Sequence, residues 1–90
     1  MSRAKLSLLN AKQELEVLRR SPTLLPVLLR CGLGVEAALA LAGNACVVWA
    51  ALGDERPASP EGVLERYSLS EIAVLCEELE SRSKTEEVAQ

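Results

Sequence analysis

The chain has 90 residues, of which 49% are hydrophobic but only 2% aromatic, and it contains no histidine and no phenylalanine. The net charge of -3 argues against general nucleic-acid binding, and the length allows one domain with a modest core. Leucine, valine and alanine must build that core, which favours helices over strands. We therefore expect an all-α fold, a small bundle of four to five helices with a long central helix, spanning residues 1–82.

The first predicted helix runs from about Arg3 to Arg20. It carries a narrow apolar stripe of the kind that a partner helix covers, with spacings of 4, 3, 4 and 3: Ala4, Leu8, Ala11, Leu15 and Leu18. Leu6 and Val17 lie nearly opposite this stripe. They are interpreted either as scattered surface residues or as a second apolar face, so that the fold covers one side of the helix and a partner the other.

A break at Pro22 is predicted to separate this helix from a short one at 24–30. Thr23 as N-cap would place Pro26 at the third helical position, where its missing N–H costs nothing, and the Gly-Leu-Gly segment that follows would end the helix. Two helical turns cannot hide all of their large aliphatic side chains, so this segment belongs either to the core or to an interface. The predicted partner-binding residues are Leu6, Val17, Leu24, Leu25, Leu28 and Leu29.

The segment 33–52 is predicted to form the central helix. Its only charge is Glu36, and its length would suit a membrane span. On a helical wheel, however, most of its larger apolar residues fall on one half, while Asn44, Ala50 and Ala51 fall on the other. A helix surrounded by lipid would not need its larger apolar residues on one half. We therefore expect a buried helix in a cytoplasmic protein, with a small membrane-anchored protein as an alternative.

Gly53 is predicted to end the central helix, and a loop is expected at 53–60. Ser59 with Pro60 then predicts the start of a short helical turn through Val63 and Leu64. Ser68 and Glu71 match a capping box at the start of the last helix. One face of that helix is expected to be buried: Leu69, Ile72, Leu75, Cys76 and Leu79. The polar, acidic end at 83–90 is predicted to be a disordered tail.

The sequence offers few groups for catalysis or metal binding. Cys31, Cys46 and Cys76 are odd in number and widely spaced, so we interpret them as reduced thiols. Histidine is lacking as a base or zinc ligand, and no phosphate-binding loop or serine motif is present. We predict no catalytic, cofactor-binding or metal-binding residue and no enzymatic activity. Docking of helices through an amphipathic surface is the expected mode of action.

Three short segments carry a resemblance to a known class of proteins: Asn44-Ala45-Cys46, Gly62-Val63-Leu64 and Tyr67-Ser68-Leu69-Ser70-Glu71-Ile72. Over residues 40–80 this layout resembles small prophage-encoded tail proteins, including tail assembly chaperones. The resemblance implies a helical protein in a bacterial host that binds the tape measure protein, or another tail protein, while the tail tube assembles. Homo-oligomers are expected as well, and an oligomeric structural component of a phage particle is the alternative.

Overall fold

The computed structural model describes residues 6–89, with side chains through Arg82. All regular structure in this part of the chain is helical, which confirms the predicted all-α class. The four α-helices are α1 (Ala11–Arg30), α2 (Val35–Ala51), α3 (Glu61–Arg66) and α4 (Leu69–Ala89), and a 3-10 turn lies at Gly53–Glu55.

The first helix begins later than the sequence predicted. Asn10 is the N-cap of α1, and its side chain accepts a hydrogen bond from the backbone N–H of Gln13 at 2.9 Å. In return, the Gln13 side chain accepts one from the backbone N–H of Asn10 at 2.9 Å. This capping box fixes the helix start at Ala11, so residues 6–10 are not helical. The predicted start at Arg3 lies outside the described residues.

The same helix also continues where a break was predicted, because α1 includes both Pro22 and Pro26. Both prolines are exposed. Each removes one backbone hydrogen bond, but the carbonyls that lose a donor belong to Leu18 and Pro22, which are exposed residues open to the solvent. Ser21 donates its hydroxyl to the carbonyl four residues back at 2.8 Å, and Thr23 to the one three residues back at 2.6 Å. The two predicted helices are therefore one.

Helix α2 is the centre of the bundle, since α1, α3 and α4 all pack against it. Most of its second half is buried, and the side chains exposed by 1% or less are Ala38, Ala45, Cys46, Val48, Trp49, Ala50 and Ala51. The sequence wrongly assigned Ala50 and Ala51 to the outer half. They are buried because the N-terminal segment runs across this end of α2, where the Ser7 N–H donates to the Ala51 carbonyl at 3.0 Å. At the other end, Val35 and Leu39 are 59% and 54% exposed.

Two glycines end helices as predicted. Gly32, after α1, has φ = +93°, and Gly53, after α2, has φ = +61°, which are backbone conformations that other residues adopt at a cost. In the described part of the chain, no helix combines the length and apolar character that a bilayer span requires.

The last two helices follow the predicted pattern with small differences. Helix α3 starts one residue later than expected, with Pro60 as its N-cap. The capping box of α4 is confirmed: Ser68 N–H donates to Glu71 Oε1 at 2.8 Å, and Glu71 N–H donates to Ser68 Oγ at 3.1 Å. Four of the five residues predicted on the buried face are buried, whereas Leu69 is 58% exposed.

The C-terminal end of α4 differs from the sequence interpretation. Its backbone is helical through Ala89, across most of the segment 83–90 for which a disordered tail was predicted. The side chains of that segment lie outside the described residues. Disorder of this end in solution therefore stays a prediction.

Candidate interaction surface

The six predicted partner-binding residues do not form one surface. In order of increasing exposure, the four that belong to the core are Leu24 (2%), Leu28 (4%), Leu6 (7%) and Val17 (8%). Leu25 is half-buried, and Leu29 is 40% exposed. The structure places these four in the chain's own core and not on a partner-binding surface, which for Leu24 and Leu28 is one of the two predicted alternatives. A binding role for Leu25 and Leu29 stays a prediction.

The physical reason for this correction is the continuity of α1. Because the helix does not break at Pro22, Val17, Leu24 and Leu28 follow one another by 7 and 4 residues on a single helix face. That face packs in the core against α2. The interpretation of Val17 as a partner-facing residue is therefore reversed, since the protein's own fold covers it.

A second face of α1, about 120° around the helix from the core face, carries an apolar stripe that is exposed except at Leu25, where the core covers part of the side chain. We call it the outer seam, and it consists of Ala11, Leu15, Leu18, Pro22, Leu25 and Leu29. Its spacings are 4, 3, 4, 3 and 4 residues, which is the heptad pattern of helices that pair in coiled coils. At 100° per residue these positions fall within about 80° of arc. Leu15 and Leu18 are 62% and 70% exposed, the two largest values among the exposed large hydrophobic residues.

Charged side chains border the outer seam with opposite signs on its two flanks. Lys12 and Arg19 each follow a seam residue and occupy one flank, while Glu14 precedes Leu15 and occupies the other. All three side chains are exposed. Across the described residues, none of the three has an ion pair or a side-chain hydrogen bond. They are therefore available to a polypeptide that lies along the seam.

A cluster around Trp49 fixes the orientation of α1. The Trp49 indole is 1% exposed, and its Nε1–H donates to the Pro57 carbonyl at 2.8 Å. The guanidinium carbon of Arg56 lies 4.0 Å from the ring centroid, and that of Arg20 lies 5.6 Å from it. Arg56 also pairs with Glu16 at 3.2 Å. Since Glu16 and Arg20 belong to α1, the cluster ties this helix to α2 and the loop, with the outer seam facing away.

Shallow grooves lie between the helices. One, of about 310 Å³, is lined by Leu8, Leu9, Val47, Cys76 and Leu79 together with the polar residues Glu14, Asn44 and Glu80. A second, of about 300 Å³, lies between the first half of α2 and the start of α4. Among the described side chains, no buried polar nitrogen or oxygen lacks a hydrogen-bond partner. Neither groove therefore contains a buried polar atom left unpaired for a small ligand.

The cysteines differ in their surroundings. Cys31 is exposed, whereas Cys46 and Cys76 are buried, and all three are free thiols. Burial raises the pKa of Cys76 to about 11, with the Glu80 carboxylate adding to the increase, and its thiol contacts the Asn44 carbonyl at 3.4 Å. Burial also raises the pKa of Cys46. Both buried thiols are therefore protonated at neutral pH and are not nucleophiles. No group of acidic or cysteine side chains in the described region could hold a metal ion.

Comparison of the chain with known protein families, curated proteins and solved structures found no match.

Sequence reasoning found the first part of the outer seam but not its full length. The predicted stripe, with its spacing of 4 and 3 residues, ends at Leu18, because the predicted break at Pro22 separates it from the next helix. The same spacing continues through Pro22 and Leu25 to Leu29, so the signal was present in the sequence. Of the stripe predicted for a partner helix, Ala11, Leu15 and Leu18 are exposed, whereas Leu8 precedes α1 and packs partly against the core. Ala4 lies outside the described residues.

Proposed function

We propose that this protein is a non-enzymatic helical adaptor that binds an α-helix of another polypeptide along the outer seam. The observation that supports this function is the heptad pattern itself, because Leu15 and Leu18 are its most exposed leucines and the core face of the same helix is already packed. A water-exposed stripe of this kind gains free energy when a second helix covers it.

The surface that remains to be buried indicates reversible binding. Leu15, Leu18 and Leu29 are 62%, 70% and 40% exposed. Complete burial of a leucine side chain contributes about 1.5–3 kcal/mol, so covering these three contributes about 3–5 kcal/mol. The loss of translational and rotational freedom offsets much of this amount. A partner must therefore supply apolar residues of its own, and it can also leave again, as a temporary assembly factor requires.

The resemblance of residues 40–80 to tail assembly chaperones supports one kind of partner, the tape measure protein of a phage or prophage tail. Such a protein is long and helical, and its apolar stripes need covering until the tail tube encloses them. The outer seam suits this task, since an α-helix is the shape that fits a heptad stripe. We propose a tape measure helix as the ligand and tail assembly as the process.

Co-purification with the tape measure protein of the same phage or prophage tests this function. Leu18→Glu places a charge in the middle of the outer seam, and Val74→Glu is the matched control on α4, where Val74 is 42% exposed. We expect the wild-type protein and Val74→Glu to retain the tape measure protein, and Leu18→Glu to lose it. Circular dichroism must give the same helix content for all three. Equal retention by Leu18→Glu, or no retention by the wild type, would contradict the proposal.

A further inference from the structure

We infer that a second copy of this chain occupies the outer seam when no other partner is bound, paired through α1 in parallel and in register. The inference rests on the proposed function in one respect, since it uses the same surface. It names a specific occupant and orientation, and both follow from the charges that border the seam.

The positions of Glu14 and Arg19 select the parallel orientation. Glu14 directly precedes the seam residue Leu15. In a parallel helix pair, a residue in this position lies across from the residue that is five positions later in the sequence of the other helix. Glu14 of one copy then faces Arg19 of the other, and the two-fold symmetry of the pair repeats this contact. Both side chains are exposed, and in the described region neither forms an ion pair within its own chain. Parallel pairing therefore joins two opposite charges on each side of the seam.

The antiparallel orientation is disfavoured by the same residues. Matching the seam positions of two antiparallel helices brings Leu18 of each copy against Pro22 of the other. The two Arg19 side chains then lie on the same flank at the centre of the interface. Like charges in that position repel each other, and no cation of the other copy lies opposite Glu14.

The fold leaves much of the outer seam open to a second helix. The core residues Val17, Leu24 and Leu28 lie about 120° around α1 from the centre of the seam. Leu15 and Leu18 are therefore open to a second helix, whereas the core covers part of Leu25. Because the same patch is used on both copies, the pair is closed and does not extend into a filament.

Sedimentation equilibrium of the purified full chain over a concentration series tests the self-pairing. We expect a mass twice the 9.7 kDa of one chain at high concentration. Leu18→Glu is expected to stay monomeric at all concentrations, and Val74→Glu to dimerise like the wild type. A wild-type protein that stays monomeric would overturn the inference, as would a dimer that survives Leu18→Glu.

Charge reversal tests the orientation. Glu14→Arg alone, and Arg19→Glu alone, each turn two attractive contacts into repulsive ones, and we expect each to raise the dimer dissociation constant by about tenfold. The double variant Glu14→Arg with Arg19→Glu restores opposite charges and should return the constant to within about threefold of the wild type. Failure of the double variant to recover affinity would overturn the parallel register.

The two proposals fail in different ways. A monomeric wild-type protein that still retains the tape measure protein through Leu18 would overturn self-pairing and leave the proposed function intact. A dimer that depends on Leu18 but retains no tape measure protein would overturn the proposed partner and leave self-pairing intact.

Discussion

The most direct test of the fold is to shorten one leucine on each face of α1. Leu24 and Leu18 are the same residue type in the same helix, six positions apart, and they are 2% and 70% exposed. Leu24→Ala removes packed atoms from the core and should lower the free energy of unfolding by about 2–5 kcal/mol. Leu18→Ala removes atoms that face water and should change it by no more than about 0.5 kcal/mol.

The expected loss is large relative to the stability of a chain this small. A protein of 90 residues has a free energy of unfolding of about 5–13 kcal/mol. A loss of about 3 kcal/mol from Leu24→Ala should lower the melting temperature by about 12–24 °C. The difference between the two variants therefore far exceeds the error of an unfolding experiment.

Urea unfolding followed by Trp49 fluorescence and far-UV circular dichroism measures both variants. Trp49 is the only tryptophan and is buried, so its emission reports on the core around α1 and α2. Low protein concentrations keep self-association from adding to the measured stability. The reasoning is refuted if Leu18→Ala costs as much as Leu24→Ala under these conditions, since the outer seam would then be packed within the chain.

Three further predictions follow from single positions. Gly62→Ala should lower the free energy of unfolding, measured by thermal unfolding, by about 1–3 kcal/mol, because the added Cβ would lie 2.6 Å and 2.8 Å from the Cβ and Cγ atoms of Pro57. Gly43→Ala, which has nothing within 4 Å of its added Cβ, should raise it by up to about 1 kcal/mol. Iodoacetamide should modify Cys31 in the native protein and Cys76 only after unfolding, as read by mass spectrometry. The free energy of unfolding should decrease between pH 9 and pH 11, because the unfolded thiol of Cys76 ionises near its ordinary pKa of 9.0 and the native thiol only near 11. Cys76→Ala should make that decrease smaller.

The features that the sequence predicted well are those set by neighbouring residues. The capping box of Ser68 with Glu71, the helix stops at Gly32 and Gly53, and the buried face of α4 each depend on residues a few positions apart. The capping box of Asn10 with Gln13 has the same local character and was missed, since an earlier helix start was preferred. Most helix ends could therefore be predicted from residues that are close to them in the sequence.

The continuity of α1 could not be predicted from local rules. A proline inside a helix costs about 3 kcal/mol, and α1 contains two, which favours a break at Pro22. The offsetting contribution is tertiary, because the continuous helix keeps Leu24 and Leu28 on the same buried face as Val17. Burial of two leucines contributes about 3–6 kcal/mol, which is of the same size as the cost of the two prolines. Whether leucine burial outweighs the cost of the prolines depends on where α2 lies, and the spacing of residues within α1 gives no information about that position.

Which of the two apolar faces of α1 is buried also depends on contacts outside the helix, and polar residues make some of these contacts. Glu16 and Arg20 lie roughly opposite the outer seam, and a helical wheel marks their side of α1 as the solvent side. In the structure, Arg20 stacks near Trp49 and Glu16 holds Arg56 over the same ring. Long side chains of this kind cover apolar surface with their stems while the charged ends stay hydrated. The polar side of α1 therefore faces the protein, and a heptad stripe that is exposed except at Leu25 is left facing the solvent.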